Sequence, residues 1–322
     1  EAHEAEGTDQ VAAAIESFMT TMSERSANLR AQVESCVDRA IGGRRVTAMV
    51  DFPNYPNVGD SAIYLGQLAC LDSLGIARPT FICDFRSYDR DALIDAAGDG
   101  VILLTGGGNF GDLWPIAQKC REDIMRSCRS NPIVQLPQTL RFESGASLDM
   151  ARSAIESHGD VTILCRDEPS LEIVRRELGG RGELCPDMAF CLDISMSQAR
   201  HGTGIVWLAR NDKESAHHAL ESNGVSVIDW DSEDATALSR RNKTLTDAAM
   251  RHPRQLRRAL LSRHGWRELF PRSVWRSLAI RTYEPLARQR LDRGIAMLSR
   301  GDKVITDRLH GHILSMLLGI PQ

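Results

Sequence analysis

Val101-Ile102-Leu103-Leu104-Thr105-Gly106-Gly107-Gly108-Asn109 is the stretch on which the fold turns. An unbroken apolar run with no polar alternation describes a strand buried on both faces, and such strands belong to parallel sheets covered by helices. The glycines lead the chain into a helix expected around Leu113–Arg129. The same alternation runs upstream: strand Arg45–Val50, loop, helix Ser61–Leu74, short strand Thr80–Cys83 and helix Asp89–Ala97. Downstream come strand Ile133–Gln135, helix Ser147–Ser157, strand Val161–Cys165, helix Pro169–Leu178 and strand Glu183–Cys185.

A second βα series opens with strand Gly204–Ala209, helix Asp212–Ser222 and strand Val225–Asp229. The pattern then degrades until helix Ile280–Ser299, strand Lys303–Ile305 and helix His310–Leu318. Apolar residues at spacings of three, four and seven predict an N-terminal helix over Asp9–Ile41, ended by Gly42-Gly43 and lying outside the main fold. The reading is an α/β protein with two Rossmann-like domains facing across a cleft. Its expected parts are an N-terminal helical extension (1–43), a first domain (44–195) and a second domain (196–322). Ligands of such sheets bind outside the carboxyl ends of the strands.

With 322 residues, 42% hydrophobic and 25% charged, the chain is long enough for about two domains and too apolar for disorder. A net charge of −4 excludes a polycation for duplex nucleic acid. No apolar run approaches the roughly 20 residues of a spanning helix. Glu1 is not a start methionine, and the chain stops at Gln322 where a further strand is expected, so trimmed ends are expected on both sides. The cysteines form no CxxC and no zinc-ligand spacing, and read as reduced core thiols of a cytoplasmic protein. No metal site is expected.

Polar chemistry concentrates at strand ends. In Asn57-Val58-Gly59-Asp60, Asp60 reads either as a helix cap or as a contact to a ligand hydroxyl or phosphate. Gly107, Gly108 and Asn109 offer bare backbone to a ligand, but the run is neither a Walker loop nor a spaced-glycine dinucleotide fingerprint. Arg166, directly after a buried strand, suits a phosphate or carboxylate, or else pairs with Asp167 or Glu168. Asp307-Arg308-Leu309-His310-Gly311-His312 places an acid, an arginine and two histidines at a strand-to-helix junction. Arg308 suits an anion, His310 suits proton transfer, and Asp307 is expected to orient one of them.

These segments, in this order, resemble the polysaccharide pyruvyl transferase family from Arg45 onward, most specifically at Cys165-Arg166-Asp167 and Asp307-Arg308-Leu309-His310-Gly311. The resemblance implies a glycosyltransferase-B-like arrangement and transfer of a pyruvyl group from phosphoenolpyruvate to a sugar, giving a pyruvate ketal. It implies that Arg166, Arg308 and His310 are catalytic, with the Leu309 backbone, Gly107, Gly108 and Asn109 at the donor. Asn57, Asp60, Asp307 and His312 are left as acceptor-side or supporting residues. The acceptor implied is a glycan of exopolysaccharide or capsule type, carried on a lipid. No cofactor is obligatory; a divalent cation and a homo-oligomer stay open. Competing readings are a nucleotide-sugar glycosyltransferase and a non-catalytic glycan- or metabolite-binding protein. Residues 251–276 hold eight arginines against Glu268, interleaved with Trp266, Phe270 and Trp275. That composition suits the anionic inner face of the cytoplasmic membrane, or a solvated helix face.

Overall fold

The computed structural model describes residues 2–194, 202–210, 225–230, 236–250 and 272–322. The expected alternation is present. The first sheet holds β1 (Val46–Val50), β2 (Phe81–Cys83), β3 (Val101–Leu104), β4 (Gly107–Gly111), β5 (Ile133–Arg141), β6 (Val161–Cys165) and β7 (Arg181–Leu184). All of its pairings are parallel, in the order β2-β1-β3-β5-β6-β7, with β4 alongside β5. The second sheet is β10 (Lys303–Thr306), β8 (Ile205–Leu208) and β9 (Ser226–Ile228), also parallel, in the order β10-β8-β9.

The helices are α1 (Ala2–Ile41), α2 (Val58–Ser73), α3 (Arg90–Ala97), α4 (Pro115–Ser127), α5 (Gly145–His158), α6 (Glu168–Ile173, continued by a π turn to Leu178), α7 (Ala237–Met250), α8 (Arg272–Leu298) and α9 (Leu309–Leu317). Because β1, β3 and β6 are buried on both faces, apolar side chains pack above and below the first sheet. One cluster joins Ala48, Ile102 and Ile163 to Leu93, Ile124 and Ala154 of α3, α4 and α5. The other joins Met49, Leu103 and Leu164 to α2 and α8, and continues to Leu208, Val304 and Leu314 of the second sheet and α9. The two sheets therefore share apolar core.

Several expectations are corrected. The α1 helix is not outside the fold: Val33, Cys36, Val37, Ala40 and Ile41 lie in the shared core. The Gly106–Gly108 segment is not a turn into a helix. It is the start of strand β4, whose Gly107 pairs with Gln138 because β5 runs on well past Gln135. The α7 helix lies where the sequence pattern faded. Helix Asp212–Ser222 and residues 251–271 of the arginine-rich stretch lie outside the described residues. At the end of that stretch, Arg276 is buried rather than presented outward, 3.3 Å from Asp89 and over the Phe81 ring. All eight cysteines are free thiols, and all but Cys120 are buried. Among the described residues no helix is long and apolar enough to cross a membrane.

Close approach of α2 fixes the region after β7. A Cβ on Gly66 would stand 2.1 Å from the Met188 carbonyl oxygen, so only glycine lets α2 lie against the 3-10 turn Met188–Cys191. Gly66→Ala is expected to destabilise by about 1–3 kcal/mol through overpacking. Gly145→Ala, on a helix with open space around the new methyl, should be neutral or slightly stabilising. Denaturant melts of the two variants check this; equal stability would mean that the contact is not tight.

Candidate active site

The site is assembled at the carboxyl ends of the strands. The α2 helix begins after β1 because the Asn57 side chain accepts from the Asp60 N–H at 3.2 Å, a side-chain cap that spends its oxygen on the helix. Gly59 in the first turn leaves room for the His310 ring: a Cβ there would stand 2.6 Å from Nδ1. Next to it, an Asp60 carboxylate oxygen lies 3.7 Å from where a Cβ on Gly107 would be. On Gly108 the same position is 3.3 Å from Arg166 Nη2. Gly59, Gly107 and Gly108 are thus a bare floor beneath His310, Asp60 and Arg166.

Asn109, expected at the donor, is committed to the protein. Its amide donates to Asp51 at 2.8 Å, and its oxygen accepts from Arg121 at 2.8 Å and from Gln138 at 3.0 Å. Gln138 also accepts from the Asn109 backbone N–H and donates to the Thr105 carbonyl. Asp51 has φ 77°, the only positive value outside glycine among the described residues, a conformation that surrounding contacts must hold. Burial pushes its carboxyl above the ordinary range, against the pull of Arg121. This network stiffens the glycine segment under Arg166.

Arg166 leaves β6 and donates from Nη1 to Asp187 at 2.6 Å and from Nη2 to Thr139 at 3.1 Å. It does not pair with Asp167 or Glu168: the Asp167 carboxylate caps α6 through the Ser170 N–H and accepts from Thr139. Asp187, in turn, caps the 3-10 turn through the Ala189 N–H at 2.9 Å. Across from it stands His310, with Nε2 3.4 Å from the Asp187 carboxylate, close enough for charge but out of line for a hydrogen bond. Burial alone would raise the Asp187 carboxyl. The facing His310 charge and the Arg166 guanidinium outweigh burial and hold it well below the carboxylate range.

Arg308 is buried at the end of β10, donates to Asp229 at 2.7 Å and lies over the Trp230 ring. Asp307 is exposed and orients neither Arg308 nor a histidine; Asp229 and Asp187 do so instead. His312 is also exposed, on a different face of α9 from His310, and Leu309 is exposed beside Arg308. The structure thus sets in succession Arg166, Asp187 and His310, joined side chain to side chain, and Arg308 with Asp229, Arg308 standing two positions before His310 in the chain. Asp187, Asp229 and Asp51 were missed by sequence reasoning. The one local signal was that Asp187 and Asp229 follow the apolar end of a βα-type strand, as Arg166 does.

The sequence pattern of the polysaccharide pyruvyl transferase family matches residues 57–322, which include every residue of this succession. The chain belongs to the polysaccharide pyruvyl transferase family. Among its relatives, "Pyruvyl transferase 1" of Schizosaccharomyces pombe is 28% identical over 290 residues, covering 87% of this chain and 65% of that protein. The chain therefore spans a little under two thirds of that relative's length. EpsO of Bacillus subtilis is 27% identical over 276 residues, covering 83% of this chain and 77% of that protein. In fold, the chain is similar to the crystal structure of a functionally uncharacterised protein of Klebsiella pneumoniae. The TM-score is 0.54 at 16% identity, over 90% of this chain and 86% of that one.

The depressed Asp187 carboxyl makes a stability prediction. A carboxyl lowered in the folded state contributes fully above its unfolded value, about pH 4, and loses that contribution as the pH falls further toward the folded value. Asp187→Asn should therefore cost about 3 kcal/mol near neutrality, because it leaves a buried guanidinium without its counter-charge. It should also lack part of the wild type's loss of stability below about pH 4. Denaturant titrations at pH 7 and pH 3 measure both, and parallel losses for the two proteins would contradict the pairing.

Proposed function

We propose that the protein transfers a pyruvyl group from phosphoenolpyruvate to a sugar of a surface-type glycan, forming a pyruvate ketal and releasing phosphate. Family membership supports the reaction class. The observation that carries the site is that Arg166 and Arg308, from different sheets, are each fixed on one side by a carboxylate, and that His310, two positions after Arg308, faces the same Asp187 that holds Arg166. Phosphoenolpyruvate presents a phosphate and a carboxylate a few bonds apart. Two planar guanidinium forks held from opposite sides suit such a donor better than point charges. In this reading the donor sits where the two sheets meet, screened from water.

In the reaction an acceptor hydroxyl adds to the donor's C2 while C3 gains a proton. The C2–O bond to phosphate then breaks, and a second hydroxyl closes the ketal. Arg166 and Arg308 stabilise the charge that gathers on the departing phosphate. His310, beside the Asp187 counter-charge and resting on Gly59, moves a proton at the reacting carbons. Asp187 holds both Arg166 and His310 at once, so donor binding and proton transfer are set by one carboxylate. Asp229 orients Arg308.

The test is release of phosphate from phosphoenolpyruvate in the presence of glycan acceptors bearing neighbouring free hydroxyls. Arg166→Ala and Arg308→Ala should each cost about 2–4 kcal/mol in kcat/KM, with lysine a poor substitute. His310→Ala should lower kcat by roughly 100-fold or more while donor binding survives. Near-normal turnover of Arg166→Ala at low donor concentration would remove it from the donor clamp. Release of a nucleoside diphosphate from a nucleotide sugar, with none of phosphate from phosphoenolpyruvate, would overturn the reading.

A further inference from the structure

Ketal formation sets a proton balance that one histidine does not meet alone. Two acceptor hydroxyls each lose a proton. One proton ends on C3 of the donor, turning methylene into methyl, and the other ends on the released phosphate. During the first addition a proton is delivered at C3 while another is removed from the attacking hydroxyl. A single imidazole cannot donate and accept at the same moment, so the site needs a second group.

Asp60 is where that group belongs. It follows Gly59, on which His310 rests, and its carboxylate lies over Gly107 while Arg166 lies over Gly108. His310, Asp60 and Arg166 therefore converge on the same bare floor. The other site carboxylates are spent: Asp187 on Arg166 and Asp229 on Arg308. No cation pairs with Asp60 among the described residues, and its carboxylate faces the Tyr55 phenol.

Burial, together with the facing carboxylates of Asp60 and Asp51, pushes the phenol well above its ordinary range, so it stays a donor. Its loop is pinned from helix α8, where Arg290 donates to the Pro53 carbonyl at 3.0 Å and Arg293 to the Pro56 carbonyl at 3.0 Å. Within the loop the Asn57 N–H donates to the Tyr55 carbonyl at 2.8 Å.

We propose that Asp60, facing the Tyr55 phenol, is the base that takes the proton of the first acceptor hydroxyl, so that Asp60 and His310 divide the proton traffic. The proposal rests on the pyruvyl-transfer reading. The cycle closes without any other reactant. Protonated His310 gives its proton to C3 as the acceptor oxygen bonds to C2 and its proton passes to Asp60. The C2–O bond to phosphate then breaks, with the electron pair leaving on phosphate, which takes the proton from Asp60. The second hydroxyl oxygen bonds to C2 and gives its proton to His310. Both groups return to their starting states.

The experiment compares Asp60→Asn, Asp60→Glu and Tyr55→Phe with the wild type, in phosphate release and in calorimetric binding of phosphoenolpyruvate alone. Asp60→Asn is expected to lose roughly 100-fold or more in kcat, with donor affinity within about threefold of wild type and an unchanged thermal melt. Asp60→Glu, which keeps a carboxylate, should recover part of that loss. It also carries the test if the asparagine variant does not fold. Tyr55→Phe should lower kcat by roughly tenfold at unchanged donor affinity, a split that a merely structural tyrosine would not produce. Asp60→Asn turning over within about threefold of wild type would overturn the proposal. So would loss of donor binding, which would place Asp60 in the donor clamp. A wild type that binds phosphoenolpyruvate yet releases phosphate with no acceptor would fail the pyruvyl-transfer reading first, and the proposal with it.

Discussion

One buried carboxylate, Asp187, holds the candidate site together. It faces two groups that would otherwise repel or wander: the Arg166 guanidinium from the first sheet and the His310 ring from the helix after β10. Removing one partner of a buried pair costs about 3–5 kcal/mol, chiefly because the other charge is stranded. The geometry of Asp187 therefore has to be secured by the fold. The Met188–Cys191 turn secures it, with Asp187 capping the turn and α2 pressed against it at Gly66. What looks like helix packing is, through this turn, the positioning of a charge.

The second constraint is space. Gly59, Gly107 and Gly108 leave the backbone uncovered where His310, Asp60 and Arg166 converge. A glycine segment gives up side-chain packing and ordinarily costs entropy. Here the polar network of Asn109, Gln138, Arg121 and Asp51 supplies the rigidity that side chains would have given. The unusual backbone of Asp51 is held within it. Arg308 and Asp229 complete the arrangement from the second sheet, and the apolar core shared by both sheets keeps the two halves in register.

The first sheet was legible because strands buried on both faces leave uninterrupted apolar runs, as at Val101–Leu104 and Ile163–Cys165. Strand β4 was not. Its Gly107–Gly111 sequence has no strand preference of its own, and the pairing is imposed by the extended β5. Arg166, Arg308 and His310 stood out because charge at the end of an apolar strand has few structural uses. Their partners did not, since Asp187 lies 21 residues from Arg166 and Asp229 lies 79 from Arg308. No local spacing encodes such a contact. Adjacency alone points to Asp307, yet its backbone position turns the side chain to solvent. The last turns of α1 were misplaced for a related reason: helical periodicity reports an apolar face without saying what covers it.

In the proposed clamp one small anion is held by arginines from both sheets. The most direct measurement is calorimetric binding of phosphoenolpyruvate to the wild type, the two single alanine variants of Arg166 and Arg308, and the double variant. Each single variant should bind more weakly, and the double variant should lose less than the sum, because either arginine alone leaves the clamp open. Binding to Arg308→Ala that matches wild type would show that the anion is held by the first sheet alone, and strictly additive losses would show that the two arginines do not act as one clamp.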